Sequence, residues 1–135
     1  MSQQNIRRAL EKRLAALDTF DTQYENVTFS PRPGVPYQRV NLMPANVDNT
    51  TVGNGYFRDQ GIFQIMLCYP SNGGTAGVEA RIEQLRNHFK RATALVEGGQ
   101  SITVFRTPSV AVGFVEQDRF CVALSVPYIS HTTTV

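Results

Sequence analysis

The chain has no tryptophan, two cysteines, two histidines and, beside eleven arginines, two lysines in its 135 residues. These scarcities exclude particular chemistries. Cys68, Cys121, His88 and His131 give neither the paired CxxC spacing nor the HExxH helix of a zinc site. No apolar run approaches membrane-spanning length. Charged residues make up only 18% against 41% hydrophobic ones, which is too apolar and too weakly charged for a disordered chain. A thinly charged surface fits one partly buried against a partner, although uncharged loops rich in Asn, Thr and Gly give the same statistic. A net charge of +2 and a pI near 8.7 are too mild to argue for nucleic acid. The basic side chains are arginine except Lys12 and Lys90. That bias suits bidentate pairing with carboxylates at an interface, and equally a GC-rich genome.

Catalytic patterns are missing too. There is no GxSxG elbow, and no serine has a local partner that would activate it. Asp48 with Asp59, or Glu116 with Asp118, are the carboxylate pairs on offer for a metal. Both pairs fall in turns, where backbone reasons explain acidic residues. The Gly- and Asn-rich stretch 46–55 lacks the Lys-Ser/Thr ending of a phosphate loop and opens no helix. His88 reads as a solvated or packing residue. The expectation is therefore no catalytic residue, no cofactor and no metal.

What the chain does have is strand and helix periodicity. In residues 58–70, Phe63, Ile65, Leu67 and Tyr69 fall on one face and Ile62, Gln64, Met66 and Cys68 on the other. The first set predicts a core floor, and the second, nearly uncharged, a face that something else covers. Residues 119–130 predict the final strand, with Phe120, Val122, Leu124, Val126 and Tyr128 on the core face. Cys121, Ala123 and Ser125 on its other face are small enough to let another layer or subunit approach. Residues 37–44 predict a strand, 23–29 a short edge strand or extended segment, 101–106 a strand and 109–115 another. Three prolines in 30–36 make a stiff connector.

Two amphipathic helices are expected. One covers residues 2–17, capped by Ser2, with Ile6, Leu10, Leu14 and Leu17 inward and Arg7, Arg8, Lys12 and Arg13 outward. The other runs from Thr75 to about Ala94 with Val78, Ile82, Leu85 and Phe89 inward, and Glu97-Gly98-Gly99 stops it. The fold class is α+β: a mainly antiparallel β-sheet with two amphipathic helices packed on one face. One domain spans 1–135, with 130–135 as a frayed tail. The polar, helical N-terminus has no apolar signal core, so a cytosolic product is expected. Cys68 and Cys121 both fall in strand patterns on the less apolar face of each, a placement that allows them to lie near one another, and in that reducing setting they are expected free and buried.

Several segments in order resemble the tail terminator proteins of long-tailed bacteriophages, the lambda-type terminators and their relatives. They are Ile6-Arg7-Arg8-Ala9-Leu10-Glu11 with Leu14, Pro36-Tyr37-Gln38-Arg39-Val40-Asn41-Leu42-Met43-Pro44-Ala45, and Gly55 with Arg58 and Gly61-Ile62-Phe63-Gln64-Ile65. Tyr69-Pro70, a Gly-rich turn, a helix with Glu79, Leu85 and Phe89, and Ser125-Val126-Pro127-Tyr128 complete the match. The signal is their joint order, since none carries chemistry. The resemblance implies an α+β protein that assembles as a homo-oligomeric ring, usually a hexamer, on the head-proximal end of the tail tube. It implies three partners: further copies of itself, the major tail tube protein and a head-side connector. DNA would only pass through the lumen, and the location would be the virion after assembly in the bacterial cytoplasm.

No family residue of known role maps onto a motif here. The candidate ring or tube contacts are Arg39, Asn46, Asp48, Asn54, Tyr56, Phe57 and Arg58, on or beside the polar loop between two strands. A solvated loop and an internally paired Arg39 are the plain alternative. The rival functions are a head–tail adaptor or tail completion protein, a nucleic-acid-binding domain and a small enzyme.

Overall fold

The computed structural model describes residues 3–45 and 56–133, and the side chains within 3–45 and 59–130. In chain order the elements are α1 (Gln3–Ala15), β1 (Thr22–Gln23), β2 (Tyr37–Pro44), β3 (Tyr56–Pro70) and α2 (Ala76–His88). There follow β4 (Ala94–Glu97), β5 (Gln100–Val104), β6 (Ser109–Val110), β7 (Phe114–Glu116) and β8 (Arg119–Thr133). All strands join one sheet ordered β1-β2-β3-β8-β5-β4, with β6 and β7 also paired to β8. Only β1 and β2 run parallel. This is the α+β class expected from the sequence.

The two 15-residue strands β3 and β8 form the spine, antiparallel in unbroken register from Tyr56↔Thr133 to Pro70↔Arg119. Because side chains alternate across a strand, the register sends Phe63, Ile65 and Leu67 to the same face as Val122, Leu124, Val126 and Tyr128. These seven are buried together with Val40 and Leu42 of β2. Ile6, Ala9, Leu10 and Leu14 of α1 and Val78 and Leu85 of α2, with Phe89 just beyond it, complete the same cluster, so both helices cover one sheet face. Burying each large side chain contributes about 2 kcal/mol.

Four boundaries differ from expectation by more than two residues. Helix α2 ends at His88, short of Ala94, because Ala92 turns with φ of 74° and its N–H goes to the Val104 carbonyl. The chain then forms β4, and Gly98 and Gly99, at φ of 60° and 80°, make the hairpin turn to β5. A Gly-Gly pair tolerates the left-handed backbone of such a two-residue turn, so it ends a strand here, not a helix. The edge strand β1 shrinks to two residues. Residues 109–116 split into β6 and β7, each paired to β8. The final strand extends past Ser130 to Thr133, held by pairing with the start of β3. Ser2 lies outside the described residues.

The expectation of free thiols is also corrected. Cys68 and Cys121 are directly opposed in the β3–β8 register, with Cα atoms 4.1 Å apart, and form a disulfide. Tyr37 is buried with them, and Phe29 and Met66 pack alongside, making a small second core on the sheet face away from the helices.

Gly61 shows how closely β2, β3 and β8 meet. A Cβ there would lie 2.7 Å from the Tyr128 hydroxyl and 2.9 Å from the Pro44 Cα. Pro44 is backbone and cannot yield, so Gly61→Ala should lower the unfolding free energy by about 2 kcal/mol or more. Chemical denaturation of the two proteins measures this, and an unchanged midpoint would contradict it.

Candidate interaction surfaces

Among the described residues, no helix packs on the sheet face away from α1 and α2, and only Tyr37, Phe29 and Met66 cluster there with the cysteine pair. Along this face the register aligns Met43 with Ile62 and Pro127, then Asn41 with Gln64 and Ser125, then Arg39 with Met66 and Ala123. Most of these side chains are half-buried, and Met43 is exposed. Beside this face, β6 and β7 run along the outer edge of β8. Val110, Val112, Phe114 and Val115 lie exposed there, Val112 at 90%, over a chain end carrying the exposed acids Glu116 and Asp118. The register puts Phe114, opposite Cys121, on the face away from the helices and Val110 and Val115, opposite Leu124 and Phe120, on the helix face, so this strand edge exposes apolar side chains on both faces.

Arg39 points out of β2 on this face, and its Nη1 lies 4.0 Å from the Glu116 carboxylate. That contact is loose and half-exposed, so it contributes little to stability. Tyr56, Phe57 and Arg58 fall in the first turns of β3's pairing, opposite Thr133, Thr132 and His131. Arg58 is eight residues along β3 from Met66, the partner of Arg39, or roughly 26 Å at strand rise. The structure therefore does not gather Arg39 and Arg58 into one patch. Asn46, Asp48 and Asn54 lie outside the described residues.

On the helix side, Arg7, Arg8, Glu11, Lys12 and Ala15 of α1 face residues 24–27 across an open groove of about 680 Å³. The cations here are already answered by carboxylates. Arg7 donates to Glu25 at 2.6 Å, and Arg8 and Lys12 both reach Glu97, at 3.6 and 3.1 Å. Burial pushes the Glu25 carboxyl up, but the Leu42 N–H and Arg7 outweigh it and hold the group below its ordinary value. A face so paired is a poor phosphate binder, since each contact would first have to break an existing pair.

Arg81 is the residue that periodicity missed. It sits three residues after Val78 and four before Leu85, on the buried stripe of α2, and is 4% exposed. Its guanidinium donates to Asp18 at 2.6 and 3.3 Å, to Gln84 at 3.0 Å and to Gln38 at 3.1 Å, and stacks over Phe20 at 4.2 Å. Gln38 in turn donates to Thr22 at 2.9 Å. This network ties the link after α1 to α2 and β2. Its Nε is buried with no hydrogen-bond partner among the described residues. Arg119, 7% exposed, does the same for the proline connector, donating to the carbonyls of Val35 and Arg32 and lying over Tyr37. Both arginines act as internal fasteners. The spacing at i+3 and i−4 to apolar residues was the available signal for Arg81.

Among the described residues no cluster of three or more His, Cys, Asp or Glu side chains could hold a metal. The Asp59 carboxyl is raised by burial, and Glu116 and Asp118 each lie 4.0 Å from an arginine. His88 packs edge-on against Phe89 and hydrogen-bonds the Arg13 carbonyl, the packing role expected of it. No described helix is long and apolar enough to cross a membrane.

The described residues thus give one sheet face filled by helices, one without a helix layer, and an edge with exposed apolar side chains. The chain belongs to the phage tail terminator family, whose model, described as phage tail terminator protein, matches residues 5–128. It is thus a structural protein of the phage tail and a virion component. A solved structure whose designation carries no functional word is similar over 100% of this chain and 99% of its own, at 25% identity and a TM-score of 0.81. Comparison with curated proteins found no match.

Two predictions follow from the buried polar groups. Asp18→Ala removes the carboxylate from a buried guanidinium and should cost about 1–3 kcal/mol, the half-exposed side of the pair lessening the loss. The double variant Asp18→Ala/Arg81→Met should recover part of it; a double variant as unstable as the sum of the singles would refute the pairing. For Tyr128, burial and then the nearby Asp59 carboxylate push the phenol up to about 12 from 10.0. A folded-state value above the unfolded one means this contribution is full below pH 10 and is lost as pH rises toward 12. Tyr128→Phe should therefore flatten the alkaline fall in stability, read from denaturation midpoints across that range.

Proposed function

We propose that the chain caps the head-proximal end of the tail tube as a homo-oligomeric ring, with six copies expected. The ring stops polymerisation of the tube protein and offers its other side to a head-side connector, with DNA passing through the lumen. The family match over residues 5–128 carries this reading. The open sheet face and the apolar edge at Val110–Val115 supply the kind of surface that such a role needs, one side for a ring neighbour and another for the tube. Arg39 and residues 46–58 remain the proposed polar contacts, because the loose 4.0 Å pairing of Arg39 leaves it able to bond across a subunit boundary.

Deletion of the gene from its phage or prophage, followed by negative-stain microscopy of the lysate, tests the role. Overlong, headless tails are expected. Tails of normal length beside unjoined heads would point to a head–tail adaptor, and ordinary virions would overturn both readings. At residue level, Arg39→Ala and Arg58→Glu should each give defective rings or tails; normal ones in both would remove these contacts from the proposal.

A further inference from the structure

The proposed capping role makes no use of the cysteine pair, which sits at the spine of the fold. Cys68 and Cys121 are the only cysteines of the chain, so no other intrachain bond competes with theirs. They are 53 residues apart in sequence, directly opposed on β3 and β8, and 0% exposed beneath Tyr37 and its neighbours. The bacterial cytoplasm keeps thiols reduced, whereas a released particle meets oxidising surroundings. We propose that this pair is a redox-gated staple, a dithiol during synthesis in the cytoplasm and a disulfide in the finished particle. The timing rests on the virion reading above; the bond chemistry rests on the fold alone.

Burial sets what can close the bond and what can reopen it. Bulky thiols and reductases are kept out by Tyr37, Phe29 and Met66, so the oxidant has to be small, and hydrogen peroxide meets that requirement. One sulfur, as thiolate, attacks a peroxide oxygen; the O–O bond breaks, the departing hydroxide takes up the thiol's proton as water, and a sulfenic acid remains. The facing sulfur then attacks the sulfenic sulfur, the S–O bond breaks, and its oxygen leaves as water with the second thiol's proton. Overall two thiols are oxidised and one peroxide is reduced to two waters. The same cover then protects the bond, which makes closure close to one-way while the protein stays folded. The staple joins the two strands on which every other sheet contact is built.

The test uses the intact protein in two arms. Protein purified fully reduced is given hydrogen peroxide, quenched in acid, alkylated and weighed. Loss of both alkylatable thiols, a mass lower by about 2 Da and no covalent dimer are expected. The melting temperature should rise by about 10 °C through restriction of the unfolded chain, and dithiothreitol should reverse the change far more slowly in the folded than in the unfolded protein. Thiols that stay alkylatable, oxygen added without bond closure, or a bond between chains would overturn the proposal. In the second arm, acid-trapped protein from infected cells should carry two thiols, and protein from purified particles the disulfide. The same state in both would overturn the timing. Absence of the protein from the particles would instead overturn the virion reading and the timing with it, while the first arm still decides the bond.

Discussion

The antiparallel ladder between β3 and β8 is the constraint on which the rest of the molecule depends. Its register runs unbroken over both 15-residue strands, and every other strand attaches to it directly or through one neighbour. Strand periodicity leaves no freedom once that register is set: a slip of one residue would send Phe63, Ile65 and Leu67 to the open face and Gln64 and Met66 into the core. The same register decides that the two cysteines meet and that Tyr128 lies over Gly61. One choice of pairing therefore determines the main core, the small second core and the closest backbone approach.

Buried charge does a different job. Hydrophobic alternation specifies which face is inside but says little about how irregular links dock, and two of the described links are docked by buried arginines. The link after α1 is held by Arg81 through Asp18 and Gln38, and the proline connector by Arg119 through two carbonyls. Guanidinium suits both places because its planar fork satisfies several acceptors in different directions, which the point charge of lysine does not. The preference for arginine over lysine thus has at least two internal causes here, in addition to any interface.

The regular part of the fold was legible in the sequence because it obeys simple periods. The core faces of β3 and β8, the inner stripe of α1 and the whole of β2 are where alternation and helical spacing put them. What was not legible depends on contacts far apart in sequence. Ending α2 at His88 requires the Ala92 N–H to find Val104, and the extension of β8 requires the start of β3 beside it. The disulfide needs a register, not merely two strand cysteines. Arg81 was hidden by its charge, which outweighed its position on an apolar stripe. For the candidate site less was legible: Arg39 was found on an open face, but the apolar edge at Val110, Val112, Phe114 and Val115 read only as an ordinary strand. Whether such a strand's residues point to a core or to solvent is settled by its neighbours, which a single segment does not show.

The two faces of the spine are unequal for a reason that bears on the role. A sheet flanked by helices on both sides would bury everything it has and leave only loops for contact. Here both helices lie on one side, and among the described residues the opposite side carries half-buried, largely uncharged side chains, with a covered patch around the cysteine pair. Such a face is costly to leave in water but too mixed to form a core of its own, and the proposed assembly would cover it. The charges of α1 lie on the other side, where each of Arg7 and Lys12 already has a carboxylate partner. In the proposed assembly, contact would therefore fall on the hydrogen-bonded strands and not on the helices. The proposed capping role would draw on that ladder, since a cap has to match a tube end whose geometry is already set before it arrives.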